Sequence, residues 1–318
     1  MNTTSFSSFF SGEGRELLLR SLHLALDEDG RDLTSEGVFP PDFPMKASIV
    51  AKEDTLVVGL PLIPMVFEAL GEHCQWVSLV AEGARVTAMT EVARLHATAR
   101  SVLRAERIIL NFMARLSGIA NLTSRYVRAL EGTGVRLLDT RKTTPGLRLA
   151  EKYAVRMGGG CNHRRDLQEM LMLKDNHIDA AGSITAAITR LRKAYGRDCP
   201  PIEVECRTLA HVREAVACHP QRIMMDNMDV PLLEQALALV PAGIETEISG
   251  GVRLENIREL ALAGTRRADF ISVGRLTHSA VAADFSMRLT NLSGRNGSHV
   301  PQAAQTSHAL RENTHAVC

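Results

Sequence analysis

LDTRKTTPGLRLAEKYAVRMGGGCNHRRDLQEMLMLKDNHI, residues Leu138–Ile178, is the most informative stretch of this chain. It carries eight Lys or Arg and two His against five acids. Several of the cations stand where a short apolar run ends or a turn begins, as Lys174 does after LML. Because α/β proteins place ligand-binding side chains at strand ends, this clustering predicts a pocket for an anion with several negative charges.

The chain beyond about residue 118 alternates short apolar runs with helical patterns, which predicts a parallel sheet with helical crossovers. Charged residues recur at the ends of consecutive predicted strands, namely Lys174, Glu205, Asp226 and Glu247. In an open doubly wound sheet these residues would be spread along an edge, whereas a barrel brings them to one mouth. The pattern therefore favours an α/β barrel.

The residues before the barrel show a mixed α and β pattern, from Leu17 to about Leu116. SVLRAERIILNFMARLSGI predicts a long amphipathic helix with Ser101 as its N-cap. The first dozen residues are rich in Ser, Thr and Phe and are expected to be mobile. Residues 291–318 are polar and lack apolar periodicity, which predicts a disordered tail.

The composition limits which classes of molecule the protein is expected to bind. Of the 318 residues, 45% are hydrophobic and 23% are charged, which is typical of a globular protein. The net charge of +1 gives no global field for nucleic acid or for a membrane surface. No segment has membrane-spanning length, and the first residues lack the pattern of a signal peptide. The six cysteines form no CxxC pair, so reduced thiols and a cytoplasmic location are expected.

Glycine-rich turns follow the last two predicted strands, at Ser249-Gly250-Gly251 and at Gly274. Backbone amides in such turns bind phosphate in many barrels. The same glycines would also suit tight strand-to-helix turns with no ligand. Because both loops carry them, the sequence favours a phosphate site.

Two acids, Glu205 and Asp226, end neighbouring predicted strands and are expected to lie close together. Paired carboxylates serve as general acid and base, and they also bind ribose hydroxyls or the magnesium that accompanies a diphosphate. Beside a phosphate site, the second role is favoured. The alternative, an ion pair with Arg207, does not explain why two adjacent strands end alike.

A set of motifs closely resembles the quinolinate phosphoribosyltransferase family, the carboxylating nicotinate-nucleotide pyrophosphorylases. The resemblance runs from about Leu17 to Asp284 and rests on GRDLTSEGVFP, AERIILNFMARLSGIANLT, TRKTTPGLR, EKYAVR, GGGCNHR, LKDNHI, IEVEC, MMDN, ISGG and SVGRLTHS. It implies an N-terminal α/β sandwich over residues 1–117, an open α/β barrel over 118–280, and a return of 281–290 to the first domain. The implied reaction joins phosphoribosyl pyrophosphate and quinolinate into nicotinate mononucleotide, with release of pyrophosphate and CO2, in de novo NAD biosynthesis.

The resemblance also implies roles for individual residues. Those implied to bind quinolinate are Arg107, Thr140, Arg141, Lys142, His163, Arg164 and Lys174. Those implied to bind phosphoribosyl pyrophosphate are Glu205, Asp226, Ser249, Gly250, Gly251, Val273, Gly274, Arg275 and His278. Catalysis is assigned to Lys142, Lys174, Glu205 and Asp226. Mg2+ is the implied cofactor, held through the substrate diphosphate with Glu205 and Asp226. A homodimer or a hexamer with shared active sites is implied, in which Arg107 comes from the partner subunit.

Other functions fit parts of the chain. A related pyrophosphorylase of molybdate-transport loci shares the TRKT and GGG segments, but LKDNH resembles the quinolinate enzymes better. A Schiff-base aldolase would use Lys174 as its nucleophile. A non-catalytic nucleotide-binding paralogue is disfavoured because every charged family position that can be mapped is occupied. The loops ISGG and GTRRADFISVG depart from the usual family pattern, so altered phosphate affinity is expected rather than lost activity.

Overall fold

Residues 5–291 are described by the computed structural model, and they divide between two main β-sheets. The first part of the chain contributes helices α1 (Phe6–Phe9), α2 (Glu13–Asp29), α3 (Leu33–Val38), α4 (Leu62–Leu70) and α5 (Ala99–Ala129). Its strands are β1 (Pro44–Ala51), β2 (Thr55–Leu56), β3 (Gln75–Ser78), β4 (Arg85–Val86) and β5 (Glu91–Thr98).

The second part alternates strands with helices, as its apolar rhythm predicts. The strands are β6 (Arg136–Leu138), β7 (Leu171–Leu173), β8 (Ile202–Cys206), β9 (Arg222–Asp226), β10 (Glu245–Ser249), β11 (Phe270–Ser272) and β12 (Phe285–Asn291). The helices are α6 (Arg148–Met157), α7 (Asp175–Ala181), α8 (Ile184–Tyr195), α9 (Leu209–Ala217), α10 (Val230–Leu239), α11 (Ile257–Ala261) and α12 (Arg275–His278).

Six strands form one parallel sheet in the order β6-β11-β10-β9-β8-β7. Within the described residues, β6 and β7 are the two edges of this sheet and do not pair with each other. A single bridge joins Leu138 at the end of β6 to Cys161. The curved sheet therefore stays open on one side, and the prediction of an open α/β barrel is confirmed.

Charged side chains lie inside this barrel. Side chains along a strand alternate between its two faces, so residues two apart share a face. Glu203 and Glu205 of β8 both lie on the inner face of the barrel. Arg222 of β9 and Glu247 of β10 also lie on this inner face. The sequence places Glu247 at a strand end, but β10 continues to Ser249, so Glu247 lies in mid-strand and is fully buried.

The last described strand returns to the first sheet. β12 pairs with β1 in antiparallel register from Ala51↔Phe285 to Met45↔Asn291, and the order of the sheet is β12-β1-β5-β3. The predicted tail thus begins one residue too early, because Asn291 belongs to β12. Residues 292–318, the rest of that prediction, lie outside the described part of the chain.

The long helix α5 begins earlier than the sequence predicts. Thr98, at the end of β5, is the N-cap, and its Oγ1 accepts a hydrogen bond from the Ser101 amide at 3.2 Å. Ser101 is instead buried in the first turn. Both residues suit a cap, and the direct turn from β5 into α5 selects Thr98. Neither α5 nor any other helix within residues 5–291 is long and apolar enough to cross a membrane.

The prediction that the first dozen residues are mobile is wrong for the aromatic segment that follows residue 5. Phe6, Phe9 and Phe10 surround Tyr153 of α6, with ring centroids 5.3, 5.4 and 5.4 Å from the Tyr153 ring. Aromatic pairs at this spacing add to the free energy of burial. The segment is therefore anchored on α6.

A close backbone approach couples α5 to the segment before β12. A methyl group on Gly118 would lie 2.0 Å from the carbonyl oxygen of Val281. We expect Gly118→Ala to lower the free energy of unfolding by about 3 kcal/mol, because that backbone contact cannot give way without moving the helix. In contrast, Gly37→Ala in α3 meets no atom within 4 Å and should raise stability by about 0.5 kcal/mol. Urea denaturation of both variants checks the difference, and equal stabilities would contradict the proposed packing.

Candidate active site

A cavity of about 480 Å³ opens at the carboxyl ends of the barrel strands. It brings together nine of the residues that the sequence assigns to the site: Thr140, Arg141, Lys142, His163, Arg164, Lys174, Glu205, Asp226 and Ser249. Its other lining residues are Met172, Met224, Asn227, Glu247 and Ser272. The residues come from the loops after β6 and β7, from the segment before β7, and from β7 to β11, so the barrel geometry itself makes the site.

One side of the cavity is strongly cationic. Arg141 and Lys142 lie in the loop after β6, and the Lys142 amide donates to Thr140 Oγ1 at 3.0 Å. Arg164 is held from behind by the Met170 carbonyl, 2.8 Å from its Nη1. Burial and the nearby charge of Arg141 together lower the pKa of Arg164. Guanidinium groups that repel each other in this way create a favourable site for an anion with two carboxylates.

A buried ion pair fixes the loop that carries His163 and Arg164. Lys152 Nζ lies 2.5 Å from Asp139 Oδ1 and 2.9 Å from the His163 carbonyl oxygen, to which it donates. The same Oδ1 accepts from the His163 amide at 2.8 Å, and Asn162 donates to the other carboxylate oxygen. Asp139 and Lys152 are fully buried. Burial raises the pKa of Asp139 and lowers that of Lys152, and each charge opposes the shift of the other.

His163 points into the barrel interior as well as lining the cavity. Its Nε2 lies 3.0 Å from a Glu203 oxygen and 3.4 Å from a Glu247 oxygen. Burial alone would lower the pKa of His163, but these carboxylates reverse the effect and raise the pKa to about 9. The Arg164 amide donates to His163 Nδ1 at 2.7 Å, which requires a lone pair there. The contact with the Arg164 amide favours a neutral ring protonated at Nε2, whereas the raised pKa favours the charged ring. In both forms Nε2 carries a proton and lies within 3.4 Å of the two carboxylates.

Three buried charged residues at the floor of the cavity received no role in the site from the sequence, although Glu247 was expected at the barrel mouth. Glu203, Glu247 and Arg222 are buried, and Arg222 Nη1 lies 3.1 Å from Glu247. The alternation in IEVEC and IETEIS places Glu203 and Glu247 on the inner face of the barrel, so strand parity could have identified them. The parity argument does not reveal His163 as their partner, because that contact joins residues far apart in the chain.

The opposite side of the cavity carries carboxylates. Lys174 Nζ donates to Glu205 Oε2 at 3.0 Å, and Arg207 lies 3.4 Å from both Glu205 and Asp226. Arg207 also contacts Asp175 at 3.0 Å. The disfavoured alternative, an ion pair with Arg207, is thus present in this conformation. Glu205 is buried and Asp226 is nearly so, but Arg207 is half-exposed and both carboxylates line the cavity.

The glycine-rich loops flank the cavity. Gly250 and Gly251 have φ of 83° and 62°, and a Cβ on Gly250 would lie 2.4 Å from Asn227 Oδ1. Packing alone therefore accounts for Gly250, which agrees with the tight-turn alternative. At Gly274 a Cβ would lie 3.0 Å from Lys142 Cδ and 3.3 Å from His278 Nε2. Gly274 thus permits a close approach of two residues implied to contact substrate.

Other implied site residues lie away from the central cavity. Arg275 lines a second cavity of about 450 Å³ with Arg125 and Arg253, because α12 turns its side chain toward α5. Val273 is buried behind the loop, where only its backbone is available to a ligand. Arg107 is exposed on α5 and does not line the central cavity of its own chain. The implied contacts of Arg275 and Arg107 therefore do not arise within this single chain.

The Asp139–Lys152 pair gives a stability prediction. We expect Lys152→Met to lower the free energy of unfolding by about 4 kcal/mol, since it leaves Asp139 buried without a cation. The Asp139→Asn/Lys152→Met double variant should recover part of that loss. The folded-state pKa of Asp139 is raised, so Lys152→Met should gain stability as the pH is lowered and Asp139 takes up a proton. Thermal melting as a function of pH measures both effects, and a flat pH profile would contradict them.

The comparisons with known proteins agree with this geometry. Residues 32–117 match the model for the quinolinate phosphoribosyl transferase N-terminal domain, and residues 119–288 match the model for its C-terminal domain. A probable nicotinate-nucleotide pyrophosphorylase [carboxylating] of Bacillus subtilis is 42% identical over 84% of this chain and 91% of that protein. Quinolinate phosphoribosyltransferase [decarboxylating] 1b of Nicotiana tabacum is 38% identical over 84% of this chain and 81% of its own length.

A solved structure supports the same relationship. NadC from Streptococcus pyogenes superposes with a TM-score of 0.80 at 40% identity, covering 86% of this chain and 96% of that one. Together, the two domain models cover most of the chain, in the order that the motifs predict. With the open barrel and its cationic cavity, these matches show that the chain belongs to the quinolinate phosphoribosyltransferase family.

Proposed function

We propose that this chain transfers the phosphoribosyl group of phosphoribosyl pyrophosphate to quinolinate and decarboxylates the product. Nicotinate mononucleotide, pyrophosphate and CO2 are released. One observation carries the proposal: in a member of this family, a single cavity joins a cationic side to a side with two carboxylates. The first side suits a pyridine dicarboxylate, and the second suits a ribose diphosphate with its metal.

The reaction requires positioning rather than a protein nucleophile. The bond between ribose C1 and the diphosphate oxygen breaks, and the electron pair leaves with pyrophosphate. The pyridine nitrogen of quinolinate then supplies the pair that forms the new bond to C1. Holding both reactants in line and stabilising the departing anion account for this kind of catalysis. Lys142 and Lys174, at the junction of the two sides, are the cations that we assign to the departing pyrophosphate.

Quinolinate is assigned to the cationic side. The forks of Arg141 and Arg164 suit its two carboxylates, with Thr140 and His163 completing the wall. Once the nitrogen is bonded to ribose, the ring carries a positive charge. That charge stabilises the carbanion left when the adjacent carboxylate departs as CO2. A proton then completes the product.

Phosphoribosyl pyrophosphate is assigned to the opposite side. Glu205 and Asp226 would accept from its ribose hydroxyls, while the loops at Ser249, Gly250, Gly251, Val273 and Gly274, with His278, would hold its 5-phosphate. Carboxylate oxygens also suit Mg2+, and Glu205 and Asp226 lie close enough to share one guanidinium. These two residues would hold the ion together with substrate oxygens. When bound, Mg2+ supplies neutralisation of the diphosphate charge.

The alternative functions gain no support from these observations. A Schiff-base lysine normally lies in an apolar pocket or beside another cation. Lys174 is instead 48% exposed and donates to Glu205. No relative described above is named as a molybdate-locus enzyme or as a non-catalytic paralogue.

A direct assay supplies quinolinate and phosphoribosyl pyrophosphate as substrates together with Mg2+. We expect equal amounts of CO2 and pyrophosphate, and none when any one component is omitted. Lys174→Met should abolish turnover with little change in melting temperature, because its ion pair with Glu205 is solvent-exposed on one side. Lys193→Met, on the exposed face of α8, is the matched control and should keep full activity. Absence of turnover by the unaltered chain would overturn the proposed function.

A shared active site is proposed for Arg107. In an isologous dimer, α5 of one subunit would carry Arg107 to the cavity of its partner. Homodimers of Arg107→Ala and of Lys174→Ala should each be nearly inactive. In the mixed dimer one site carries both changes and the other carries neither, so about half of the normal activity per dimer should return. Purified heterodimers with two different tags test this, and heterodimers as inactive as their parents would show that Arg107 does not act across the interface.

A further inference from the structure

The floor of the cavity carries carboxylates, although the proposed ligand is itself a dicarboxylate. Glu247 lines the cavity and Glu203 lies beside it, and both side chains are fully buried. Two carboxylates in a low-dielectric interior would repel a dicarboxylate bound above them. A site built only for affinity would not place them there. Their position therefore calls for a role that outweighs the repulsion.

The contacts of Glu247 indicate that role. It is in reach of His163 on one side, at 3.4 Å, and of Arg222 on the other, at 3.1 Å. Glu203 lies 3.0 Å from the same His163 nitrogen. The strands β8, β9 and β10 thus each contribute one charged side chain to a buried cluster, defined here as His163, Glu203, Glu247 and Arg222. Arg164 approaches the cluster through its backbone amide at His163 Nδ1.

His163 is the only member of this cluster that reaches the cavity with a side chain able to contact quinolinate without like-charge repulsion. Its backbone is fixed by Asp139 and Lys152, and its Nε2 lies within 3.4 Å of both carboxylates. The Arg164 amide at Nδ1 and these two carboxylates at Nε2 favour the observed orientation of the ring. Arg222 balances the charge of Glu247, and it is itself enclosed between Glu245 and the ring of Phe270.

We propose that Glu247 and Glu203 are positioning residues for quinolinate, which act by holding the His163 ring in the floor of the cavity. The inference rests on the proposed function, since it names how the dicarboxylate subsite is ordered. It assigns no contact between either carboxylate and the substrate. Both carboxylates contact His163, which is assigned to quinolinate, so phosphoribosyl pyrophosphate binding should depend on them much less.

Whether Glu247→Gln tightens or weakens quinolinate binding distinguishes a positioning role from a purely electrostatic effect. If the carboxylates acted only through their charge, Glu247→Gln would remove repulsion and tighten quinolinate binding. If they position His163, the same variant should weaken it. We expect the Kd of quinolinate to rise about tenfold, within the range for coupled neighbours, and the KM of phosphoribosyl pyrophosphate to change less than about twofold.

A double-mutant cycle tests whether the effect passes through His163. His163→Asn should raise the quinolinate Kd by a similar factor. In the His163→Asn background, Glu247→Gln should then add less than about twofold. Glu203→Gln is measured in the same cycle, so the test survives if Glu247→Gln does not fold. Isothermal titration with quinolinate gives the Kd, and steady-state kinetics give the KM of each substrate.

Glu82→Gln is the control for loss of a carboxylate with structural hydrogen bonds. Glu82 accepts from the Gly59 and Leu60 amides in the first domain, away from the cavity. The Glu82→Gln variant should have a lower melting temperature and an unchanged quinolinate Kd. Tighter quinolinate binding in Glu247→Gln, equal losses for both substrates, or full additivity with His163→Asn would each overturn the inference. So would a stoichiometric metal ion in the purified chain that is lost in Glu203→Gln. Inactivity of the unaltered chain would instead reject the proposed function.

Discussion

The buried pair of Asp139 and Lys152 is the interaction on which the cavity depends. It joins the end of the first barrel strand to the helix that follows and to the loop at His163. That loop lies at the open side of the barrel, where, within residues 5–291, the bridge between Leu138 and Cys161 is its one pairing with a strand. An ion pair with its remaining hydrogen bonds satisfied replaces the missing strand contacts. The cationic wall of the site can then be rigid although the barrel is not closed.

The sequence predicted the wall of the site better than its floor. Arg141, Lys142, Glu205 and Asp226 follow or end short strands, and parallel strands bring such positions to one mouth whatever the side-chain packing. The orientation of His163 could not be predicted in this way. It depends on two carboxylates that come from strands about 40 and 84 residues further along the chain.

Where the predictions were wrong, the local sequence signals were ambiguous or absent. Thr98 and Ser101 are both good helix caps, and only the turn from β5 into α5 selects Thr98. The aromatic segment near the N-terminus lacks a periodic pattern, yet it packs because Tyr153 offers a surface for three rings. The alternation of strands and helices, by contrast, is a signal repeated along the whole barrel. The fold was accordingly predicted correctly from this alternation, and the family from the motifs that resemble it, whereas individual ends and contacts were not.

The pairing of β12 with β1 has a consequence for synthesis on the ribosome. The first sheet needs a strand that is translated about 240 residues after β1. Until that strand emerges, β1 has partner β5 on one edge and unsatisfied backbone amides and carbonyls on the other. At about 5–20 residues per second, the nascent chain carries this open edge for roughly 12–50 seconds. The whole barrel must be made before the first domain can close, so chaperone protection during that interval would matter more than for a chain with consecutive domains.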